Sequence, residues 1–587
     1  MTRYAAIKMV CTSYLFLSIP FSFGQNGLQE IPQVVLEPIL KDESLPRTDQ
    51  ELLNIPDIGP NRTIEDSETK ILVKSFSLIF EDKNLIIDEI KTSSQDFVDN
   101  YLDSSGSNLS FLELDEIVFS LTEFLRNKGY LLAQALLPAQ EVRDGNITIM
   151  ILPGKLSKTL VSNNEIFSDE ILSFPFEKGL GEIVEKDFIE STILRLNDIS
   201  GLNTSAVFKP GENLGETLLT VQILEEKKLE NSIQFDNFGS ESSGTTRAIL
   251  ATSLNNLFGK LDTLSFHLFK TYDYDFGGVE NGRINYEILD SSLIHTIGID
   301  YSENNFITKS DFQFFGIDSD TQRGDVYLRS NWQRSLDRNF STTLSLSAKK
   351  ASIFSSTSPL YGGEDALTVA TLEFDYNYVD SRFDAVQGMK FSVSKGFDDF
   401  LGSMDANGNG TSLTKVNGQS NLSSEFLKYN LSFTRLQTLA RDYSIYWHTS
   451  IQYSDDWLST LEKVSLGGPY SVRAYPSQEY IRDSVLFSNI ALQTNVSSLL
   501  DYFSFDTNTI TDAMSLSLFA DYGLGKSPND ASGDNAKVEI SGWGVELKVD
   551  FAQPNFNASI TFAQPFSDNI ASNGESNQLW FSLGVGF

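Results

Sequence analysis

Hydrophobic and polar residues alternate from about Leu229 to Phe587, and no helical period appears in this stretch. In the last segment one face is large and apolar, formed by Leu579, Phe581, Leu583, Val585 and Phe587. The other face is small or polar apart from a tryptophan, with Trp580, Ser582, Gly584 and Gly586. Such two-faced strands, each of about ten residues, are typical of a transmembrane β-barrel. We predict sixteen strands, which begin near Ser232, Thr246, Asp262, Arg283, Leu293, Asp325, Phe340, Leu367, Gly388, Leu422, Tyr443, Val485, Met514, Val538, Asn557 and Gln578.

The connections between these strands support the same interpretation. Several links after odd-numbered strands are long, at 305–323, 397–420 and 456–482, whereas most links after even-numbered strands are short turns. The twelfth link is an exception. Outer-membrane barrels have long external loops and short periplasmic turns. A soluble β-sandwich or a secreted adhesin is the alternative, but neither explains why long links follow odd-numbered strands and short links follow even-numbered ones.

Residues 71–228 instead predict two α+β modules, at 71–154 and 155–228. In the first, Ser110 and Glu113 form a capping box, and Gly129 follows where the helix should end. The apolar residues between recur with a helical period, at Leu114, Ile117, Val118, Leu121 and Leu125. The first module has the order strand, two helices, two strands, which the second repeats less clearly. Its predicted elements are strand Ser157–Ser162, helix Glu185–Asn197, and strands Ala206–Lys209 and Thr217–Leu224.

The first 24 residues resemble an export signal, with basic Arg3 and Lys8 before the largely apolar stretch Met9–Phe23. Ser22 and Gly24 put small residues at the spacing of a cleavage site, so we expect cleavage before Gln25. A membrane anchor is the alternative, but the apolar stretch is shorter than the ~20 residues of a membrane-spanning helix. Residues 25–70 are predicted to be a linker with at most a short helical piece. Prolines interrupt any long helix there, at Pro32, Pro38, Pro46, Pro56 and Pro60.

The composition excludes several classes of protein. A formal net charge of −35 gives no basic surface for nucleic acid. The single cysteine, Cys11, lies in the predicted signal, and the chain has three histidines far apart in sequence, so we expect no catalytic residues, no metal site and no cofactor. No nucleotide-binding glycine-lysine loop occurs. The segment Asp405–Gly410 resembles the start of a calcium loop, but Val416 stands where the closing glutamate is needed, which favours a plain external loop.

One long loop carries residues that could meet the barrel wall. Arg473 lies near the tip of the loop 456–482, and Asp521 lies on the predicted inner face of strand thirteen. If the loop folded inward, these two side chains could form a bidentate ion pair. From spacing alone, a solvated arginine and an aspartate that lines water are the simpler interpretation.

Several motifs, in order along the chain, resemble those of two-partner secretion transporters (TpsB), the ShlB/FhaC/HecB family. Leu125–Gln140 with Asp144–Ile149 resembles the first POTRA (polypeptide-transport-associated) module. Leu194–Leu202 with Lys209–Gly211 is similar to the second. Phe235–Gly239 and Leu254–Gly259 resemble the first barrel strands, so the resemblance covers about residues 70–587.

The resemblance implies a fold and a site. The fold is an all-β transmembrane barrel of sixteen antiparallel strands at 229–587, preceded by two α+β POTRA modules. The site is an inward-folded sixth external loop, whose arginine pairs with a wall aspartate. The matching loop residues here are Val472, Arg473, Ala474 and Tyr475, and the matching wall residues are Phe519, Asp521 and Gly523. Ala474 replaces the family's glycine, and its methyl group could shift the loop tip. A short plug helix across Val34–Lys41 is a further possibility.

The resemblance also implies a function: outer-membrane export of a partner exoprotein of the adhesin or haemolysin type, without ATP, through a barrel with porin activity. The POTRA modules would lie in the periplasm of a Gram-negative bacterium and recognise the exoprotein. Outer-membrane lipid, periplasmic chaperones and the barrel-assembly machinery are the other expected partners, with Phe587 as a C-terminal insertion signal. The alternatives are an assembly factor that inserts other barrels, as related POTRA-barrel proteins do, and a passive porin or adhesin.

Overall fold

The computed structural model describes residues 52–54, 70–81, 88–240, 244–272, 278–307, 317–355, 363–405, 412, 422–440, 442–502, 509–528, 537–551, 555–566 and 571–587. The predicted signal at 1–24, the suggested plug helix and most of the calcium-like segment lie outside these residues, as does all of the linker 25–70 except 52–54 and Lys70. The chain divides into two compact units, and the main boundary lies between Lys227 and Lys228. The predicted domain limits within them stay predictions.

The first POTRA-like module, at 70–152, is built around one buried helix face. The elements are β2 Lys70–Leu72, β3 Ser75–Phe80, α1 Asp88–Ser105, β4 Asn108–Ser110, α2 Phe111–Asn127, β5 Gln134–Leu136 and β6 Asn146–Leu152. Strand β6 is central, parallel to β3 and antiparallel to β5. All five apolar positions predicted for α2 are buried. Burial of this helix face against β3 and β6 gives the module its own core.

The second module has a similar sheet with one strand from outside it. Its elements are β7 Lys155–Ser162, α3 Asp169–Ser173, a 3₁₀ helix Phe174–Gly179, α4 Lys186–Asn197, β8 Leu202–Pro210 and β9 Glu216–Glu226. Strand β1, Leu53–Asn54, pairs in parallel with β8, so the sheet order is β1-β8-β9-β7. The sequence predicted no strand here, because two residues carry no periodicity. Main-chain pairing and the burial of Leu52 hold the segment.

Sixteen antiparallel strands then close into a barrel, as predicted. They are β10 Leu229–Asp236, β11 Thr246–Asn255, β12 Asp262–Tyr272, β13 Gly278–Leu289, β14 His295–Ile307, β15 Ile317–Arg334, β16 Arg338–Ser355, β17 Gly363–Asp380, β18 Ala385–Phe397, β19 Phe426–Ala440, β20 Tyr443–Tyr453, β23 Ser484–Asn495, β24 Met514–Lys526, β25 Lys537–Phe551, β26 Asn555–Pro565 and β27 Gln578–Gly586. Strands β10 and β27 pair from Ser232 with Gly586 to Asp236 with Ser582. Closure satisfies the backbone groups that an open edge would expose to lipid.

The two faces of the strands differ as the alternation predicts. In β24, Leu518 and Ala520 are exposed on the outer surface, whereas Ser517, Phe519 and Asp521 are buried on the inner one. Within the described residues, no helix has both the length and the apolar character needed to cross a membrane.

The predicted start of the sixth strand, near Asp325, was wrong. Strand β15 begins at Ile317, and its polar first residues pair with the end of β16, so the link 305–323 is much shorter than predicted. About ten residues suffice to cross a membrane, so the rest of this 18-residue strand needs no apolar face. Hydropathy therefore could not find it. The twelfth link contains two short helices, α5 Val496–Tyr502 and α6 Thr509–Asp512.

The capping box of α2 gives a direct test of the first module. The Glu113 N–H donates to the Ser110 hydroxyl, and the Ser110 N–H donates to the Glu113 carboxylate at 2.6 Å. We expect Ser110→Ala to destabilise the helix end by about 1 kcal/mol. Hydrogen exchange of the peptide around 108–116, measured in the full-length protein, should become faster. Ser104→Ala, at an exposed hydroxyl bonded to the Tyr101 carbonyl, is the control.

The same box should also respond to acid. Hydrogen bonds from the backbone and then the side chain of Ser110 lower the pKa of Glu113 below 4.5. A lowered pKa means that the stabilisation is present above the ordinary pKa and is lost as the pH falls below it. Exchange corrected for its intrinsic pH dependence should therefore rise below about pH 4.5 in the wild type. A flat profile, or equal exchange in Ser110→Ala and wild type, would contradict this assignment.

Candidate functional site: a loop bound inside the barrel

The link between β20 and β23, residues 454–483, is here called the pore loop. It contains a small hairpin of β21 Val464–Leu466 and β22 Tyr480–Arg482. Gly467 and Gly468 begin the tip with φ of 103° and 92°, a conformation that favours glycine. A Cβ on Gly467 would overlap the Pro476 carbonyl oxygen, so only glycine fits this reversal.

Arg473 lies at the loop tip and binds Asp521 on the inner face of β24. Its Nε and Nη2 donate to the two carboxylate oxygens at 2.9 and 2.8 Å, and its backbone N–H donates to Oδ2 at 3.0 Å. The Asp521 side chain is fully buried, and that of Arg473 is 11% exposed. This is the bidentate geometry that gives an arginine–carboxylate pair its strength and direction. The loop therefore folds inward, which spacing alone left open.

Other groups complete the surroundings of the arginine. Its guanidinium lies 3.3 Å from the ring centre of Phe519, a cation–π contact. The Trp580 indole N–H donates to the Arg473 carbonyl at 2.7 Å. Asn489 donates to both Asp521 and the Ser471 carbonyl, which ties the wall to the loop backbone.

A second carboxylate at the site was not predicted. Glu546 of β25 lies 3.8 Å from Arg473 and 3.2 Å from Lys548. Alternation along β25 places residue 546 on the inner face, but only the loop's fold brings Arg473 to it.

Glycines in the wall make room for the loop. A Cβ on Gly523 would lie 2.8 Å from a methyl group of Val472, and one on Gly542 would overlap the Ala474 methyl group. Val472, Ala474 and Tyr475 are all buried against this wall. The loop thus reaches Asp521 with alanine at 474, whose methyl group occupies the space beside Gly542.

The first two strands also hold the tip. Arg247 forms a bidentate ion pair with buried Asp236 and donates to the Tyr470 hydroxyl at 3.3 Å. Ser477 donates to the Phe238 carbonyl at 2.7 Å. Asp236 lies in the motif Phe235–Gly239, but nothing in the sequence links it to the loop.

Phe587 and the histidines lie away from the loop's Arg473 contacts. The main chain of Phe587 pairs with Asn231, and the residue as a whole is 68% exposed. His267 and His448 are buried, and His448 lies near the ring of Phe487, which belongs to the apolar cluster around the tip. His295 shares a hydrogen bond with Ser330.

A closed sixteen-stranded barrel with an apolar outer surface, preceded by α+β modules and containing an inward-folded loop, defines a class: the outer-membrane transporters with periplasmic modules. The chain belongs to the family described as haemolysin secretion/activation protein ShlB/FhaC/HecB, whose model matches residues 215–549. The model of the ShlB-type POTRA domain matches residues 90–154. These matches confirm the predicted two-partner secretion family and fold class.

Individual relatives agree with this assignment. The heme/hemopexin transporter protein HuxB of Haemophilus influenzae is 25% identical over 488 residues, 81% of each chain. The outer membrane transporter CdiB of Dickeya dadantii is 23% identical over 150 residues, 26% of each chain. The structure is similar to CdiB from Escherichia coli (TM-score 0.66, 17% identity, 90% of this chain and 93% of that one). It also resembles BamA from Haemophilus ducreyi lacking POTRA domains 1–3 (TM-score 0.54, 13% identity, 88% and 100%), a likeness of fold alone.

The protein is therefore an outer-membrane transporter with its POTRA modules in the periplasm, as predicted. Its family is one of transporters rather than enzymes, and family membership implies a secreted exoprotein as partner. Among the described residues, no three metal-binding side chains cluster together.

The fit between wall and loop predicts the effect of one methyl group. Gly523→Ala should press on Val472 and on Leu466, which would lie 3.0 Å from the new methyl group. Overpacking of this kind costs about 1–3 kcal/mol, so we expect a lower thermal midpoint and looser loop attachment. Adding Val472→Ala should recover part of the loss. If the double variant were as unstable as the sum of the two single variants, this contact would not be the cause.

Proposed function

We propose that the protein exports one secreted exoprotein through its barrel, after recognising it through the POTRA modules. The observation that carries this proposal is the position of the pore loop, whose Arg473 is bound to Asp521 on the inner wall. A loop held inside the bore by polar contacts closes the path at rest and can be displaced by a passing chain. The site residues Val472 to Tyr475, with Phe519, Asp521 and Gly523, then form a gate.

Recognition of the exoprotein would use the edge of a POTRA sheet. The first module's sheet has β3 and β5 as its outer strands. An extended segment of the exoprotein can add to such an edge, where main-chain hydrogen bonds give affinity and side-chain pockets give specificity. The family resemblance implies an exoprotein of the adhesin or haemolysin type, and such a protein is built largely of β-strands.

Export would need neither ATP nor a cofactor. No nucleotide-binding loop occurs in the sequence, and a client that folds outside the cell cannot slip back. Folding of the exoprotein outside the cell would thus make its export unidirectional.

Placement in the membrane would involve lipid and helper proteins. Large apolar side chains such as Ile297, Ile299 and Leu518 are more than half exposed on the outer face, where lipid would cover them. Periplasmic chaperones and the barrel-assembly machinery are the proposed carriers of the unfolded chain, with Phe587 as the insertion signal. We propose no nucleic-acid partner.

Arg473→Ala tests the role of the gate. The substitution leaves Asp521 as a buried, unpaired charge, and breaking a buried pair costs about 3–5 kcal/mol. We expect export of the exoprotein to be abolished while the barrel still assembles, as judged by heat-dependent mobility in gels. Arg382→Ala, at an exposed turn arginine, is the matched control. Undiminished export by the Arg473→Ala protein would refute the proposed role.

Deletion of the whole protein separates secretion from barrel assembly. If the protein is a translocator, one exoprotein disappears from the medium and the outer-membrane protein profile stays unchanged. Depletion of many outer-membrane proteins would instead identify an assembly factor.

A further inference from the structure

The base of the pore loop, residues 458–463, has its own set of buried contacts, distinct from those of Arg473. Leu458 and Leu461 pack into an apolar cluster on the inner wall, with Leu367, Val369 and Phe426 among its members. This cluster is separate from the one that surrounds the loop tip.

Glu462 is the charged centre of the base. Its two carboxylate oxygens accept from Lys349 of β16 and Lys428 of β19, each at 2.5 Å. The Glu462 side chain is 2% exposed, and the two lysine side chains are 15% and 11% exposed. A carboxylate this deeply buried needs such partners, because desolvation would otherwise make its charge unfavourable. Burial raises the pKa of Glu462, but the two lysines outweigh it and bring the pKa down to about 2.

Hydrogen bonds hold the neighbouring backbone. The Ser459 hydroxyl donates to buried Asp365 of β17, and Gln452 donates to the Glu462 carbonyl at 2.8 Å. Leu458 donates its N–H to Asp483, at the other end of the loop, at 2.7 Å. The base is therefore fixed both to the wall and to the loop's own exit.

The order of strands shows where the base and the tip are held around the ring. The base contacts β16, β17, β19 and β20, which are the seventh, eighth, tenth and eleventh strands of the barrel. The tip contacts β23, β24, β25, β27 and β11, which are the twelfth, thirteenth, fourteenth, sixteenth and second. The strand that pairs with Arg473, the thirteenth, is six strands from the seventh and three from the tenth. The pore loop is thus bound to the wall at two separate places.

We propose that Glu462 is a second anchor of the pore loop, which binds the loop's base to a part of the wall separate from the part that holds Arg473, so that the bore opens fully only when both anchors release. Glu462 is a positioning residue that acts through the loop. The consequence for export rests on the proposed function, whereas the anchoring itself does not.

Loss of the Glu462 carboxylate should release the base of the pore loop, because it removes the ion pairs with Lys349 and Lys428. Without Glu462, the two ammonium groups would lose the carboxylate that they share. Arg323 adds to the repulsion because it acts on Lys349, and Asp325, which is paired with Arg323, would be the carboxylate left near Lys349. Like charges brought together in a poorly hydrated site repel strongly. The base should therefore detach and admit water.

Labelling of a single cysteine measures this detachment in the purified mature protein. The chain has one native cysteine, Cys11, in the predicted signal, so Thr460→Cys gives one reporter. The Thr460 hydroxyl is buried and forms no hydrogen bond in the described part of the chain, so the reporter removes no contact. The probe is a hydrophilic maleimide, and the barrel's heat-dependent mobility confirms assembly. The test variants are Glu462→Gln and Lys428→Gln, each made together with Thr460→Cys. The control is Lys350→Gln, also with Thr460→Cys, because the ion pair of Lys350 with Glu364 is half exposed.

We expect Glu462→Gln to speed maleimide labelling of the reporter thiol by at least about tenfold, with a smaller increase for Lys428→Gln and none for Lys350→Gln. Wild-type rates in both anchor variants would overturn the proposal, as would equal acceleration in the control. If Glu462→Gln does not assemble, Lys428→Gln decides the matter in the same way.

A comparison with Arg473→Ala separates the two anchors. We expect Arg473→Ala alone to leave labelling of the reporter thiol slow, and Glu462→Gln with Arg473→Ala to conduct more in planar bilayers than either single variant. Fast labelling of that thiol in Arg473→Ala alone would show one continuous anchor and contradict the proposal. No client protein is present, so failure of the export proposal leaves this result unaffected.

Discussion

The ion pair of Arg473 and Asp521 holds the pore loop inside the bore of the barrel. Burying two charges is costly, and the arrangement is tolerated because the two groups are paired and hydrogen-bonded to each other. The Asp521 carboxylate accepts hydrogen bonds from the Arg473 guanidinium, from the Arg473 backbone N–H and from the Asn489 side-chain amide. Without the loop, the Asp521 carboxylate on the wall would lose the Arg473 guanidinium as its counter-charge. The resting position of the loop is therefore a property of the wall as much as of the loop.

The barrel wall is adapted to this loop. Where the loop tip lies, the wall carries glycines, since side chains at 523 and 542 would overlap Val472 and Ala474. Where the loop base lies, the wall instead carries lysines, which bind Glu462. Small residues at one part of the wall and basic residues at another thus position a loop that lies inside the bore. In the proposed export, the wall gives up these contacts without losing its strand pairing, which the backbone hydrogen bonds of a closed barrel allow.

Alternation alone was enough to predict the barrel, because each strand must show apolar residues to lipid and other residues to the lumen. It failed at β15, whose polar first residues need no lipid-facing side, and at β1, which is too short for any period. It placed Asp521 on the inner face, but the pairing with Arg473 came from the family resemblance. Glu546, Arg247 and Glu462 were missed because their partners are set by the fold of an irregular loop. Such contacts depend on tertiary structure and leave no local pattern.

The central claim is that a client chain passes through the bore, along the inner faces of these strands. Adjacent residues of β19 provide the most direct measurement, because Asn430 faces the lumen and Leu431 faces outward. A photo-reactive amino acid placed at either position would be activated during export. The account predicts that the exoprotein is cross-linked at 430 and not at 431. Cross-linking at 431, or at neither position while export proceeds, would contradict it.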